Sequence, residues 1–230
     1  MRVVIPSVNY ADYLAVTLPA WQRVCPHADF AVVTDFNDAE TAAVVCDVPN
    51  VTLVRTNAWT DGGCVLNKAA AMDYAFGFAG GMRPPPDPNG LCLALDADVY
   101  PFGRIDWKTI RPNAIYSVVR HECSSHAQLE AHARGELARN HFPVIKSYWR
   151  RPERDPAGLQ GYFQLWRYRA GDSFGSFPTA ARYDVVFGLK FPLRQYMDSL
   201  YVLHLGQNRK NWTGRVTPRW NHAAANADVH

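Results

Sequence analysis

The stretch Leu91-Cys-Leu-Ala-Leu-Asp96-Ala-Asp98 constrains this chain more than any other. Its five apolar residues read as a buried strand that delivers two carboxylates, one residue apart, at its C-terminal end. In open α/β sheets that edge is where ligands sit. Upstream, short apolar runs alternate with helical patterns. Val3 to Ile5 reads as a strand ending at Pro6, Phe30 to Thr34 as a second, and Val51 to Val54 as a third. Amphipathic helices are expected from about Asp12 to Val24, Asp38 to Cys46 and Leu66 to Phe78. This order predicts an α/β fold: a single Rossmann-like domain with a mostly parallel central sheet covered by helices on both faces.

The 230 residues suffice for one sizeable core. A net charge of +3 permits a polyanionic partner without demanding one. The five cysteines are scattered and never form a CxxC pair, so they read as small buried apolar residues in a reducing compartment. MRVVIPSVNY opens without a charged-then-apolar leader, and no apolar run approaches the roughly 20 residues that cross a bilayer. A cytoplasmic location without a membrane span is the expectation.

The second half is less regular. Arg83-Pro-Pro-Pro-Asp-Pro-Asn-Gly90 is a connector that neither helix nor central strand tolerates. Ala114 to Val118 is strand-like, and Ser124 or Ser125 caps a helix running to about Asn140. Tyr162 to Tyr168 alternates as a strand, Tyr183 to Phe187 is a short helix, and Leu200 to Leu205 is a last strand. The chain divides into a first half, 1–100, and a second half, 101–221, followed by a small polar tail, 222–230.

Two hard oxygen donors such as Asp96 and Asp98 suit Mg²⁺ or Mn²⁺ bridging to phosphate oxygens. Taken alone, Asp96 would cap a turn and Asp98 would be solvated; the place at the end of a fourth strand favours the metal. His121-Glu122-x-x-x-His126 has the wrong spacing for two ligands on one helix face and reads as a loop-to-helix junction. Arg139, Lys146, Arg150, Arg151 and Arg154 gather around Tyr148 and Trp149, and Arg209, Lys210, Arg215 and Arg219 around Trp212 and Trp220. Such runs are commonly solvated loops. Interleaved with aromatics they also suit a nucleic-acid backbone and stacked bases.

These motifs, in this order, resemble the GT-A superfamily of nucleotide-sugar glycosyltransferases, its inverting family-two-like branch in particular, over roughly Met1 to Trp212. Asp96-Ala-Asp98 resembles the superfamily's DxD, and Ile5-Pro6-Ser7-Val8-Asn9-Tyr10 resembles the segment that wraps the nucleotide base. Val32-Val-Thr34-Asp35 resembles the second-strand carboxylate that contacts base or ribose, although a plain strand-to-loop cap explains it equally. Leu66-Asn67-Lys68-Ala-Ala-Ala71-Met72-Asp73 resembles an Asn-Lys-x-x-Ala-Leu-Asn pattern facing the donor, with Asp73 in place of the final Asn. Gly161-Tyr162-Phe163-Gln164 resembles the floor of the acceptor side. Tyr183-Asp184-Val-Val-Phe187 resembles a Glu-Asp-x-x-Phe segment, with Tyr183 replacing the first acid. Val202-Leu203-His204-Leu205-Gly206 resembles the late segment whose histidine completes the metal site.

The resemblance implies a metal-dependent transferase moving a sugar from a nucleoside-diphosphate sugar, UDP by commonness in the family, to an acceptor hydroxyl with inversion. Asp184 would be the catalytic base. Pro6, Ser7, Asn9, Tyr10, Asp35, Asn67, Lys68, Asp96 and Ala97 would face the donor, with Arg209 or Lys210 at the diphosphate. Asp96, Asp98 and His204 would hold the cation, Mn²⁺ rather than Mg²⁺ because imidazole favours it. Tyr162, Gln164, Trp149 and Arg151 would meet the acceptor, a saccharide or a hydroxylated base in phage DNA. A nucleotidyltransferase would carry a glycine-rich loop where Pro6-Ser7-Val8-Asn9-Tyr10 stands, and a non-enzymatic nucleic-acid-binding module would leave the DxD and His204 without purpose.

Overall fold

A computed structural model describes residues 1–78, 84, 86–145, 161–180, 182–206, 215, 219 and 220. The first half alternates strictly. β1 (Arg2–Pro6) leads to α1 (Ala11–Val24), β2 (Asp29–Thr34) to α2 (Ala39–Val45), and β3 (Val51–Arg55) to α3 (Lys68–Phe76) and β4 (Leu91–Leu95). There follow β5 (Val99–Gly103), β6 (Ala114–Glu122), α4 (His126–Ala133), β7 (Phe163–Arg167), α5 (Tyr183–Gly188) and β8 (Leu193–His204).

All eight strands join one sheet in the order β3-β2-β1-β4-β7-β6-β8-β5. The pairings among β3, β2, β1 and β4 are parallel, as the alternation of strand and helix requires. Beyond β4 the sheet is mixed: β7 runs antiparallel to β4 and β6, β6 is parallel to β8, and β5 is antiparallel to β8.

Each strand splits its side chains between two cores. Val3 and Ile5 join Leu14, Leu18 and Trp21 of α1 on one face. Val4 joins Met72 and Phe76 of α3 and Phe187 of α5 on the other. Strands covered on both sides must be apolar at every position, and Val3, Val4 and Ile5 are all within 1% of full burial. The α/β expectation holds, with the sheet flanked by helices. All five cysteines are free; Cys25, Cys92 and Cys123 are buried and Cys46 is exposed. Among the described residues no helix is long and apolar enough to cross a membrane.

Several boundaries differ from the sequence reading. The third helix begins at Lys68 because Asn67 is its N-cap, accepting the Ala70 amide, and it stops at Gly77 in the left-handed region. The fourth starts from Ser125, not Ser124, and ends at Ala133, short of Asn140, just before Gly135 at φ +80°. β8 is twice the expected length. β5 was not expected at all: Pro101 argues against a central strand, but β5 lies at the sheet edge, where a missing N–H is tolerated. His121 and Glu122 end β6 and His126 opens α4, so that cluster is a strand-to-helix junction.

Candidate active site

The chain runs from β1 outward to β2 and β3, then returns to place β4 on the other side of β1. A crevice opens beyond the carboxyl ends of strands where the order reverses in this way. Here the order reverses between β1 and β4, so the segment after β1, which holds Asn9 and Tyr10, and the segment after β4, which holds Asp96 and Asp98, leave the sheet from neighbouring strands.

Asp98 and His204 are brought together by strand register. β5 starts one residue after Asp98, and its first residue, Val99, pairs with His204 at the end of β8. The Leu205 amide then donates to the Asp98 carbonyl at 2.8 Å. This leaves His204 Nε2 3.4 Å from Asp98 Oδ2, both side chains nearly buried. Burial pushes the Asp98 carboxyl up, but the His204 ring and then the Lys68 and Arg120 charges outweigh it and hold it below the usual range. Gly206 completes the cradle: a Cβ there would fall 2.7 Å from Asp98 Oδ2.

Asp96 turns the other way. Its Oδ1 accepts the Lys68 ammonium, and the pair is only partly exposed, at 15% for Lys68 and 26% for Asp96. Lys68 sits at the head of α3, 5.6 Å from the centre of the buried Tyr183 ring. Burial pulls its ammonium down, but Asp96 and Tyr183 together raise it above the ordinary lysine value, so it stays charged.

Asp184 lies next to Tyr183 in the first turn of α5. Its Oδ2 accepts the Gly161 amide at 2.5 Å, and its carbonyl accepts Gln164 Nε2 at 2.9 Å. Burial raises its carboxyl above the ordinary range against the two backbone amides and Lys68 that lower it. Tyr162 is buried, donating to the Val118 carbonyl at 2.5 Å, with the Arg120 guanidinium 4.4 Å over its ring. Its carbonyl takes the Asp96 amide at 3.1 Å, tying the two carboxylate regions together.

The remaining expected donor residues divide by burial. Tyr10 faces the carboxylates: burial, then Asp98 and Asp96, raise its hydroxyl above the ordinary phenol value. Asn9, at φ +62°, turns the chain there. Pro6 pairs with Val33 in the sheet, and the Ser7 hydroxyl is wholly buried against that of Thr41 at 3.1 Å. Ala97 is buried, its carbonyl taken by Thr17 at 2.7 Å. Asp35 accepts the Asn37 amide at 2.8 Å in an Asx turn. Asn67 is fully buried as a cap whose side chain also bonds Ser176 and the Phe177 amide. Trp149, Arg151, Arg209 and Lys210 lie outside the described residues.

Asp96, Asp98 and His204 were expected to hold a cation together. Among the described residues no three His, Cys, Asp or Glu side chains converge as a metal-holding group, because Asp96 is engaged by Lys68. The Asp98–His204 pair itself fits a divalent ion. Neighbouring ligands on an octahedral ion with bonds of about 2.1 Å stand about 3 Å apart, close to the observed spacing. Of the two ring nitrogens of His204, Nε2 faces Asp98, and Nδ1 is buried with no hydrogen-bond partner among the described residues.

Sequence reasoning named Asp38, Gly206 and Arg215 but gave none of them a role in the site. Asp38 is the buried carboxylate that organises the end of β2, accepting the Asn9 and Thr41 amides and the Thr34 and Thr41 hydroxyls. Its place before α2 marked it as an N-cap; Arg215 stood out only as part of a basic run that read as a solvated loop or a nucleic-acid contact.

No family model and no curated protein matches the chain. Among solved structures it is similar to two of LgtC, one an active-site mutant and the other described as a galactosyltransferase in complex with donor and acceptor sugar analogues. Each gives a TM-score of 0.46 at 18% identity, over 86% of this chain and 73% and 74% of the respective LgtC chains.

Proposed function

We propose that this chain is a metal-dependent glycosyltransferase, of GT-A type, that moves a sugar from a nucleoside-diphosphate sugar to an acceptor hydroxyl. One observation carries the reading: just past the carboxyl end of β4, the strand beside β1, two carboxylates meet an ammonium and an imidazole, at the edge where an α/β sheet receives nucleotides.

Residues 1–100 supply the donor side and 101–221 the acceptor side. Asp98 and His204 would hold the cation, and Asp96, which was expected to join them, keeps Lys68 beside them. Mn²⁺ suits a set containing imidazole. When bound, the cation neutralises charge on the diphosphate leaving group. Lys68, fixed by Asp96, supplies a second positive charge beside it. Asn9 and Tyr10 line the nucleotide side. Asp184, its carboxyl raised by burial, takes the acceptor's proton as general base, and Gln164 fixes the backbone that carries it. Attack assisted from that side displaces the diphosphate in one step, with inversion. The loop bearing Trp149 and Arg151, to which a DNA acceptor was tied, lies outside the described residues, and a saccharide hydroxyl satisfies the same chemistry.

The test is a panel of UDP- and GDP-sugars, with Mn²⁺ or EDTA, read as released nucleoside diphosphate. Mn²⁺-dependent release that is lost in Asp98→Ala is expected. Asp184→Asn should keep donor binding and lose transfer. Absence of turnover and of any nucleotide-induced thermal shift would sink the reading.

A further inference from the structure

Arg215 is part of neither the Asp98–His204 pair nor the Lys68–Asp96 pair, yet its guanidinium is held by several groups at once. Its guanidinium forks onto both oxygens of Asp12, with Nη2 2.8 Å from Oδ2, and its Nη1 also donates to the Asn9 carbonyl at 2.7 Å. The arginine side chain is 4% exposed and that of Asp12 12%. The same guanidinium lies 5.1 Å over the Tyr10 ring and 4.5 Å over the Tyr13 ring. Trp220 adds its amide to Asp12 Oδ2 at 2.7 Å and sets its ring edge-on to Tyr13 at 5.3 Å and to His126 at 5.4 Å. Arg219 reaches Glu40 of α2 at 2.7 Å.

These contacts converge on one turn. Asn9 is held from both sides: Asp38 accepts its amide at 2.7 Å, and Arg215, 206 residues away in the chain, takes its carbonyl. Asn9 turns the chain at φ +62°, a region that asparagine enters more readily than other side chains, and these two contacts fix how that turn is aimed. Tyr10 follows directly, its ring under Arg215 and its hydroxyl in the field of Asp96 and Asp98. A surface ion pair would matter little, but this one is buried, forked and stacked on two rings.

We infer that Arg215, seated by Asp12 and Trp220, is a positioning residue that fixes Asn9 and Tyr10 where the donor's nucleoside binds, so that this arginine sets nucleoside affinity without touching the diphosphate. This rests on the glycosyltransferase reading. It separates two parts of one ligand: the diphosphate answers to Lys68, Asp98 and His204, and the nucleoside answers to a turn that Arg215 holds.

The experiment is calorimetric titration of the full chain, with Mn²⁺ present, by the tighter-binding of UDP and GDP and, separately, by inorganic pyrophosphate. Arg215→Ala should weaken the nucleotide about tenfold and leave pyrophosphate within about twofold. Asp12→Asn, which keeps the side-chain shape, should give the same selective loss to a smaller degree. It also serves if Arg215→Ala shows no cooperative melt. Unchanged nucleotide affinity in Asp12→Asn, or equal loss of both ligands, would overturn the inference. A wild type that binds pyrophosphate but neither nucleotide overturns it too while sparing the cation site. A wild type that binds none of the three removes the glycosyltransferase reading itself.

Discussion

Gly161 gives its amide to Asp184 at 2.5 Å and stands so close that a Cβ on it would fall 2.9 Å from both the Asp184 Cβ and the Tyr183 hydroxyl oxygen. Real Cβ atoms do not approach so near, so an added methyl must push the carboxylate aside. Gly161→Ala is therefore expected to lower transfer on the order of 100-fold, as misplacing a reacting group by about an ångström does. Nucleotide affinity, set elsewhere, should hold within about twofold. Turnover measured beside nucleotide titration separates the two.

The cation should depend on the pair that strand register assembles. Asp98→Asn and His204→Ala are each expected to weaken Mn²⁺ binding by at least about tenfold, read from the electron-paramagnetic-resonance signal of free Mn²⁺. Gly206→Ala should do so as well, because its methyl would meet Asp98 Oδ2 at 2.7 Å. Retained Mn²⁺ affinity in Asp98→Asn would remove the assignment.

Asp184 yields a pH prediction. Its carboxyl is raised in the folded chain, so the native state holds that proton more tightly than the unfolded state does. The residue's contribution to stability is thus most favourable at acid pH and falls as pH rises from the unfolded carboxylate value through the folded one. Asp184→Asn should accordingly melt higher than wild type at neutral pH, with the advantage shrinking on acidification. The transfer rate of the wild type should rise with pH through an apparent value above that of an ordinary carboxyl, and the variant should lack this limb.

The clasp between α3 and the segment after β7 should show in stability. Asn67 caps α3 and holds Ser176 and Phe177, while Asp73 takes the Ser173 hydroxyl and the Phe174 and Gly175 amides. Asn67→Ala is expected to cost about 1–2 kcal/mol, the range of a lost helix cap, in denaturant unfolding. This also accounts for an acid at position 73, which accepts from all three of these groups.

What was legible in the sequence follows from what periodicity can encode. β1, β2 and β4 were readable because strands buried on both faces must be apolar throughout, the edge strand β3 because its Val-x-Leu-Val run follows them in the same alternation, and the carboxylates after Leu95 stood out against the apolar run of β4. Asp98 and His204 could be named as partners only by resemblance, since their meeting depends on β5, a strand disguised by Pro101. The Lys68–Asp96 pair and the Arg215 fork are products of packing between distant segments, and no local pattern carries such information. Asn67 and Ser7 illustrate the converse. Both lie in motifs that read as ligand-facing, yet their side chains are spent inside the protein.

The pairing of Val99 with His204 also orders events in time. The parallel half of the sheet closes through neighbouring βα units, whereas Asp98 meets His204 only after the last strand has found its place beside β6 and β5. Contacts of such long sequence separation form late, because loop-closure entropy must be met first. A chain released before β8 docks would have β1 to β4 in place and no Asp98–His204 pair. Cation affinity thus reports a finished sheet, and a refolding experiment followed by Mn²⁺ capture would time the final strand.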